Sequence, residues 1–288
     1  MTKETAVRIA NLAGRLSLLD GQSAIDVEHA SGGEFGPDPQ AVYDRWDEFT
    51  AWAATAPRAG AQPFDRAALG SPAPAPRQVF GIGLNYRTHA AESGFAVPDQ
   101  SPPVFTKFPS CITGPYGEIA LPPGGHTDWE VELVAVIGRR AEQVAAADGW
   151  AHVAGLAVGQ DISERIVQMA GPSAQFSLGK SFPGFGPVGP WLVTVDEFAD
   201  PGDLELGCSI NGELMQKART GELIFGVPLL VARLSAVLPL LPGDLIFTGT
   251  PAGVGLGRSP QRWLAAGDEL HSYIEGIGEL RHRFVSPG

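Results

Sequence analysis

The stretch DWEVELVAVIG, residues 128–138, is apolar from Trp129 onward except for Glu130 and Glu132. So apolar a run reads as an internal β-strand, and strand alternation sends the two glutamates to one face and Trp129, Val131 and Leu133 to the other. Carboxylates at i and i+2 stand about 7 Å apart at their stems, where two negative charges repel by roughly 2 to 3 kcal/mol at an effective dielectric near 20. A cation reverses that sign. Two partners are open at this point: an arginine on a solvent-facing edge strand, with Arg139 and Arg140 near in sequence, or a metal ion.

Working outward, short β-like segments surround this strand: QVFGIG, HVAGLAVGQ, WLVTV, LELGCSING and DLIFTGT. Pro-Gly at 201–202 and 242–243 and Asn-Gly at 211–212 supply turns between them. GVPLLVARLSAVLPL carries a helical stripe of Leu229, Leu230, Leu234 and Leu238. Towards the N-terminus, VRIANLAGRLSLLDG reads as short strands, and DPQAVYDRWDEFTAWAATA as a helix packed through Val42, Trp46, Phe49 and Trp52. Residues 57–78, rich in Ala and Pro, form a connector. The expected organisation is a small N-terminal α+β domain with its connector over 1–75 and a mainly β domain with α elements over 76–288.

A third oxygen ligand weighs towards the metal ion. Asp161 in VAGLAVGQDISERIVQMAG directly follows an apolar strand and precedes a helix, where a loop can turn its carboxylate inward. Glu-x-Glu plus Asp suits a hard divalent cation, Mg²⁺ or Mn²⁺, and differs from thiolate or all-histidine zinc sets. Upstream, His89 and Glu92 stand at i,i+3, so one helical turn puts them on one side, with the carboxylate orienting an imidazole that takes a proton from water. Lys180, in FSLGKSFPGFGPVGPW, is placed to stabilise an enolate or a substrate carboxylate, and FTGTPAGVG offers Thr250 and backbone amides for oxygen recognition. GVGLGRSP does not qualify as a dinucleotide-binding turn, because Pro260 interrupts the helix that should follow.

Composition narrows the class of partner. Thirty-two acidic residues against 20 Lys plus Arg give a net charge of −12, which disfavours nucleic acid and anionic membranes. There is no run of about 18 apolar residues able to span a bilayer, and MTKETAVRIANLAGRL is broken by charge where a secretory segment would be apolar. Cys111 and Cys208 form no bridge framework. A cytoplasmic protein with reduced thiols and a small-molecule substrate is expected.

Taken together, GLNYRTHAAESG, PPVFTKFPSCITGP, DWEVELVAVIGR, GQDISERI, GKSFPGFGPVGPW, NGELMQ and LPGDLIFTGTPAGVG resemble, in family order over residues 80 to 257, the fumarylacetoacetate hydrolase superfamily. The resemblance implies a twisted β-roll catalytic domain, commonly in a homodimer, with a divalent metal on Glu130, Glu132 and Asp161. It also implies a water-activating dyad of His89 and Glu92 and an active-site Lys180, with Tyr86, Lys107, Gln160, Arg165 and Thr250 around the substrate. Members often carry Asn before the metal-binding aspartate, where this chain has Gln160. The implied chemistry is hydrolytic C–C cleavage of an acylpyruvate or similar 1,3-dicarbonyl 2-oxo acid. Decarboxylation or isomerisation of oxaloacetate-like or unsaturated hydroxy-dioic acids is the alternative. A non-catalytic small-molecule-binding protein is the competing class, which metal-dependent turnover would exclude.

Overall fold

The computed structural model describes residues 7–92 and 96–287. Most of the strands belong to two β-sheets. In the larger, the central strands run in the order Arg8–Leu12, Gly186–Val193, Val153–Gln160, Val131–Ile137, Leu245–Phe247, Val79–Ile82 and Val104–Thr106. The smaller has the order Glu213–Arg219, Glu205–Ile210, Glu269–Ile274, Gly278–Val285 and Tyr116–Ala120. This is the mainly β architecture with α elements that the sequence predicts.

Val131–Ile137 is buried along its whole length because each face packs into a different core. Val131, Leu133, Ala135 and Ile137 join Leu206, Ile210, Leu270, Leu280 and Phe284 between the two sheets. Val134 and Val136 face the other way, among Ile9, Leu16, Leu18, Phe49, Leu192 and Phe247. The N-terminal residues therefore cover the back of the large sheet. Ladder pairs Arg8↔Val193 and Ile9↔Leu192 carry that sheet across the expected boundary near residue 75.

Several local expectations differ in extent. The aromatic N-terminal helix is divided, a 3₁₀ turn Ala41–Arg45 leading into the α-helix Trp46–Ala53. The WLVTV strand begins earlier, at Gly186, since Pro187 and Pro190 read as breakers yet lie in extended backbone. The helix Val227–Ser235 buries Val227, Leu230, Val231 and Leu234, so its inner stripe is shifted from Leu229, which is only partly buried. Asn211 and Gly212, at φ 52° and 83°, make the tight turn between Glu205–Ile210 and Glu213–Arg219. Among the described residues no helix is long and apolar enough to cross a membrane.

Candidate active site

Register brings the acidic residues together. Val131 pairs with Gln160 in the antiparallel ladder, so the next residues outward, Glu130 and Asp161, face one another, and Asp161 N–H donates to Glu130 O at 2.9 Å. Glu132 lies two positions further in, opposite Gly159. One carboxylate oxygen from each of Glu130, Glu132 and Asp161 can be chosen so that all three lie within 4.8 Å of one another. All three side chains are buried.

Three cations and one turn hold this cluster. Lys180, at the C-terminal cap of the short helix Phe176–Gly179, donates to Glu130 Oε2 at 2.6 Å and Asp161 Oδ2 at 2.7 Å. Lys107 donates to Asp161 Oδ1 at 2.6 Å, to Phe185 O at 3.1 Å and to the carbonyl of Lys180. Arg165 opens the helix Arg165–Gln168, which Glu164 caps by accepting from Ile166 N and Val167 N. Its guanidinium meets Asp128 Oδ2 at 2.7 Å and Glu130 Oε1 at 2.8 Å. Glu132 has a different partner: Oε2 accepts from Gly249 N at 2.8 Å. Gly249 sits at φ 101°, in contact range of Asn85 and Ile82, where a side chain does not fit.

The two glutamates consequently behave as opposites. Burial raises the pKa of each. For Glu130 the nearby Lys180 and Arg165 outweigh burial and bring it down to about 2. For Glu132, burial and the charges of Asp161 and Glu130 act in one direction and push it well above the usual carboxylate range. A carboxylate cluster with one member driven towards protonation, all donors being oxygen, fits a hard divalent cation that would replace that proton. Neither Arg139 nor Arg140 serves the glutamates, for they pair with Asp47 and Glu142 on the surface.

His89 and Glu92 share the helix Arg87–Glu92. Asn85 anchors its start, donating to Phe225 O and Thr248 O and accepting from Phe225 N. His89 Nδ1 lies 3.6 Å from Glu92 Oε2, too far for a hydrogen bond, and this buried nitrogen has no partner among the described residues. Glu92 is held in place by Gly253 N–H, 3.1 and 3.0 Å from its two oxygens. Burial would raise the Glu92 pKa, but His89 and that N–H more than offset it and keep the carboxyl below its usual value.

A cavity of about 450 Å³ joins these groups. Of the residues anticipated from sequence, His89, Glu92, Glu130, Glu132, Arg165, Lys180 and Thr250 border it. Asp161, Lys107, Gln160 and Tyr86 are buried but are not among its lining residues. Lys107 is committed to Asp161. Gln160 accepts from Glu130 N at 2.9 Å and donates to Ser272 Oγ at 2.8 Å, so it fixes the backbone at Glu130. The Tyr86 hydroxyl is buried with no partner among the described residues, and burial, then Glu132 and Glu222, raises its pKa. Thr250 Oγ1 donates to Val131 O at 2.9 Å and accepts from Gln216 Nε2 at 2.8 Å, stitching its loop to the glutamate strand.

Sequence reasoning missed Asp128. It is fully buried, takes Arg165, and accepts from Gly255 N at 2.6 Å and Leu256 N at 3.0 Å, tying the 249–257 loop to the glutamate strand. The signal was present, since Asp128 precedes Glu130 and Glu132 at the same two-residue interval. Phe105 and Phe176, whose rings are 5.7 Å apart on the cavity wall, carried no comparable signal.

A two-sheet β fold with a buried three-carboxylate centre and a His–Glu pair beside it defines a small-molecule site of the enzyme type. The chain belongs to the fumarylacetoacetate hydrolase family, whose members are enzymes: the model for the fumarylacetoacetate (FAA) hydrolase C-terminal region matches residues 78–285. The oxaloacetate tautomerase FAHD2B, mitochondrial, of Bos taurus is 44% identical over 216 residues, 75% of this chain and 68% of that protein. A crystal structure of a Mycobacterium smegmatis protein superposes with TM-score 0.93 at 55% identity, covering 98% of this chain and 100% of that one. Maleylpyruvate hydrolase from Sphingobium sp. SYK-6, in complex with manganese(II) ion and pyruvate, gives TM-score 0.78 at 29% identity, covering 98% and 99%.

Proposed function

We propose that the protein is a divalent-metal-dependent hydrolase that cleaves a C–C bond in an acylpyruvate or related 1,3-dicarbonyl 2-oxo acid. The observation that carries this reading is that His89 and Glu92 border the same cavity as Glu130 and Glu132. A proton acceptor and a metal-type centre thus address one substrate volume. Glu130, Glu132 and Asp161 would hold Mg²⁺ or Mn²⁺, which when bound polarises carbonyl oxygens and acidifies water. In this reading His89 takes a proton from water at the ring nitrogen remote from Glu92, and the hydroxide adds to the distal carbonyl carbon. The bond from that carbon to the central methylene then breaks. The acyl part leaves as a carboxylic acid and the electron pair passes to the pyruvate fragment as an enolate, which is protonated on carbon. Lys180, on the cavity wall, stabilises the charge that develops there. A cytoplasmic homodimer belongs to the same proposal.

A second reading is favoured by the 44% identity to an oxaloacetate tautomerase. The same dyad would then move a proton between carbon and oxygen of a 2-oxo acid without adding water. Incubating the Mn²⁺-loaded protein with acylpyruvates, oxaloacetate and unsaturated hydroxy-dioic acids, with products identified by mass, separates the two. Hydrolysis requires pyruvate plus a carboxylic acid in equal amounts, abolished in a folded His89→Ala variant. Keto–enol exchange, loss of CO₂ or double-bond migration without cleavage would replace it with the second reading.

A further inference from the structure

We propose that the cavity selects a 2-oxo acid with a single carboxylate and an apolar tail, and that Phe105, Phe176 and Met169 form the tail subsite. The proposal rests on the 2-oxo acid reading above and favours its acylpyruvate substrates over oxaloacetate and the hydroxy-dioic acids, which carry a second carboxylate.

The first ground is where the cavity's positive charge is spent. Among the described residues, its lining holds two lysine or arginine side chains, Lys180 and Arg165. Each is already committed, Lys180 to Glu130 and Asp161, Arg165 to Asp128 and Glu130. In and behind the wall stand five carboxylates, Glu92, Asp128, Glu130, Glu132 and Asp161, against Lys107, Arg165 and Lys180, which pair with them, and Arg258, which acts on Glu92 from behind the lining while its guanidinium bonds the carbonyls of Met215 and Gly253. A divalent ion on Glu130, Glu132 and Asp161 would add the one positive charge of the lining that is open to a substrate oxygen. One substrate carboxylate can then be met by that ion, whereas a second meets no uncommitted cation among the described lining residues, and burying it unpaired is costly.

The second ground is the other wall. Phe105, on Val104–Thr106, stacks obliquely on Phe176 at 5.7 Å, and Pro103 continues the apolar surface beside it. Met169 caps Arg165–Gln168, and that helix packs against Phe176–Gly179. Gly81 permits this arrangement, because a Cβ there would collide with the Phe105 ring. Lys180 Nζ lies 5.0 Å from the same ring, so the aromatic wall begins where the ionic cluster ends. A substrate held by its 2-oxo carboxylate at the cluster therefore extends its remaining carbons along phenyl and thioether surfaces. Those reward apolar contact and offer a carboxylate nothing.

Calorimetric titration of the Mn²⁺-loaded protein with 2-oxo acids that cannot be hydrolysed tests this directly. Pyruvate, 2-oxobutanoate and 2-oxohexanoate should bind with rising affinity, on the order of fourfold for each methylene buried. 2-Oxohexanoate should bind at least tenfold more tightly than 2-oxohexanedioate, which has the same carbon number. Met169→Arg, at a half-exposed position, should shrink that ratio by at least tenfold by supplying the missing cation. Equal or tighter binding of the dianion by the unaltered protein overturns the proposal, as does a flat response to chain length. Pyruvate release from acylpyruvates is scored separately. Its absence with the tail preference intact removes the hydrolase reading and leaves this one standing.

Discussion

Glu130 and Glu132 stand two residues apart in the chain and differ in nearly everything that decides their charge. Glu130 faces Lys180 and Arg165, while Glu132 faces a backbone N–H and two carboxylates. Removing charge at Glu132 should therefore cost little in the metal-free fold and much in metal binding. Glu132→Gln keeps an oxygen to accept from Gly249 while losing the anion. Its Mn²⁺ affinity should fall by at least tenfold in calorimetry, and the rise in Tm on adding Mn²⁺ should shrink accordingly. An unchanged dissociation constant would remove Glu132 from the ligand set. At this scale the pattern of the sequence was readable: alternation placed the two glutamates on one face, and Asp161 supplied the third oxygen. What it left out was Asp128, whose partner Arg165 lies 37 positions away.

At the scale of elements, the loop 249–257 connects both halves of the site. Gly253 donates to both oxygens of Glu92, sits at φ 108°, and would drive a Cβ into the carbonyl of Met215. Gly253→Ala should destabilise the fold by about 2 kcal/mol in urea unfolding, because neither the left-handed backbone nor the backbone contact accommodates it. It should also lower kcat/KM at least tenfold by releasing Glu92 from behind His89. Stability and turnover both within twofold of the unaltered protein would show that the loop does not position the dyad. Elements were unevenly legible. The apolar strands and the Asn-Gly hairpin stood out, whereas Gly278–Val285 did not, since Arg281 and Arg283 alternate there with the inward Leu280, His282 and Phe284. Charge on the outer face masked a period-two strand.

At the scale of the molecule, the small sheet carries a buried titratable group remote from the carboxylate centre in sequence. His282 is 2% exposed, donates from Nε2 to Gly114 O at 3.0 Å, and burial brings its pKa down from 6.5 to about 4. The unfolded chain therefore binds a proton that the folded one refuses between those values. Stability is full above pH 6.5 and declines as pH falls towards 4, by up to about 3 kcal/mol from this residue. Urea midpoints measured from pH 7 to 4 should fall along that course, and His282→Gln should flatten the decline. An identical decline in the variant would assign it to other groups. The N-terminal residues, read from sequence as a separate small domain, add strands to the large sheet and cover its back with Ile9, Leu16, Leu18 and Phe49.

The sequence by itself determined the strand-rich class, the three carboxylates and the His–Glu spacing, because strand and helix periods are local geometry that composition reports directly. Tertiary structure alone decided that the Val131–Gln160 register sets Asp161 beside Glu130, and that Lys107 and Gln160 hold Asp161 and Glu130 from outside the cavity. It also decided that a phenyl and thioether wall adjoins the charged cluster. Those relations join residues tens of positions apart. Pairing and packing choose such neighbours, and no local period records the choice.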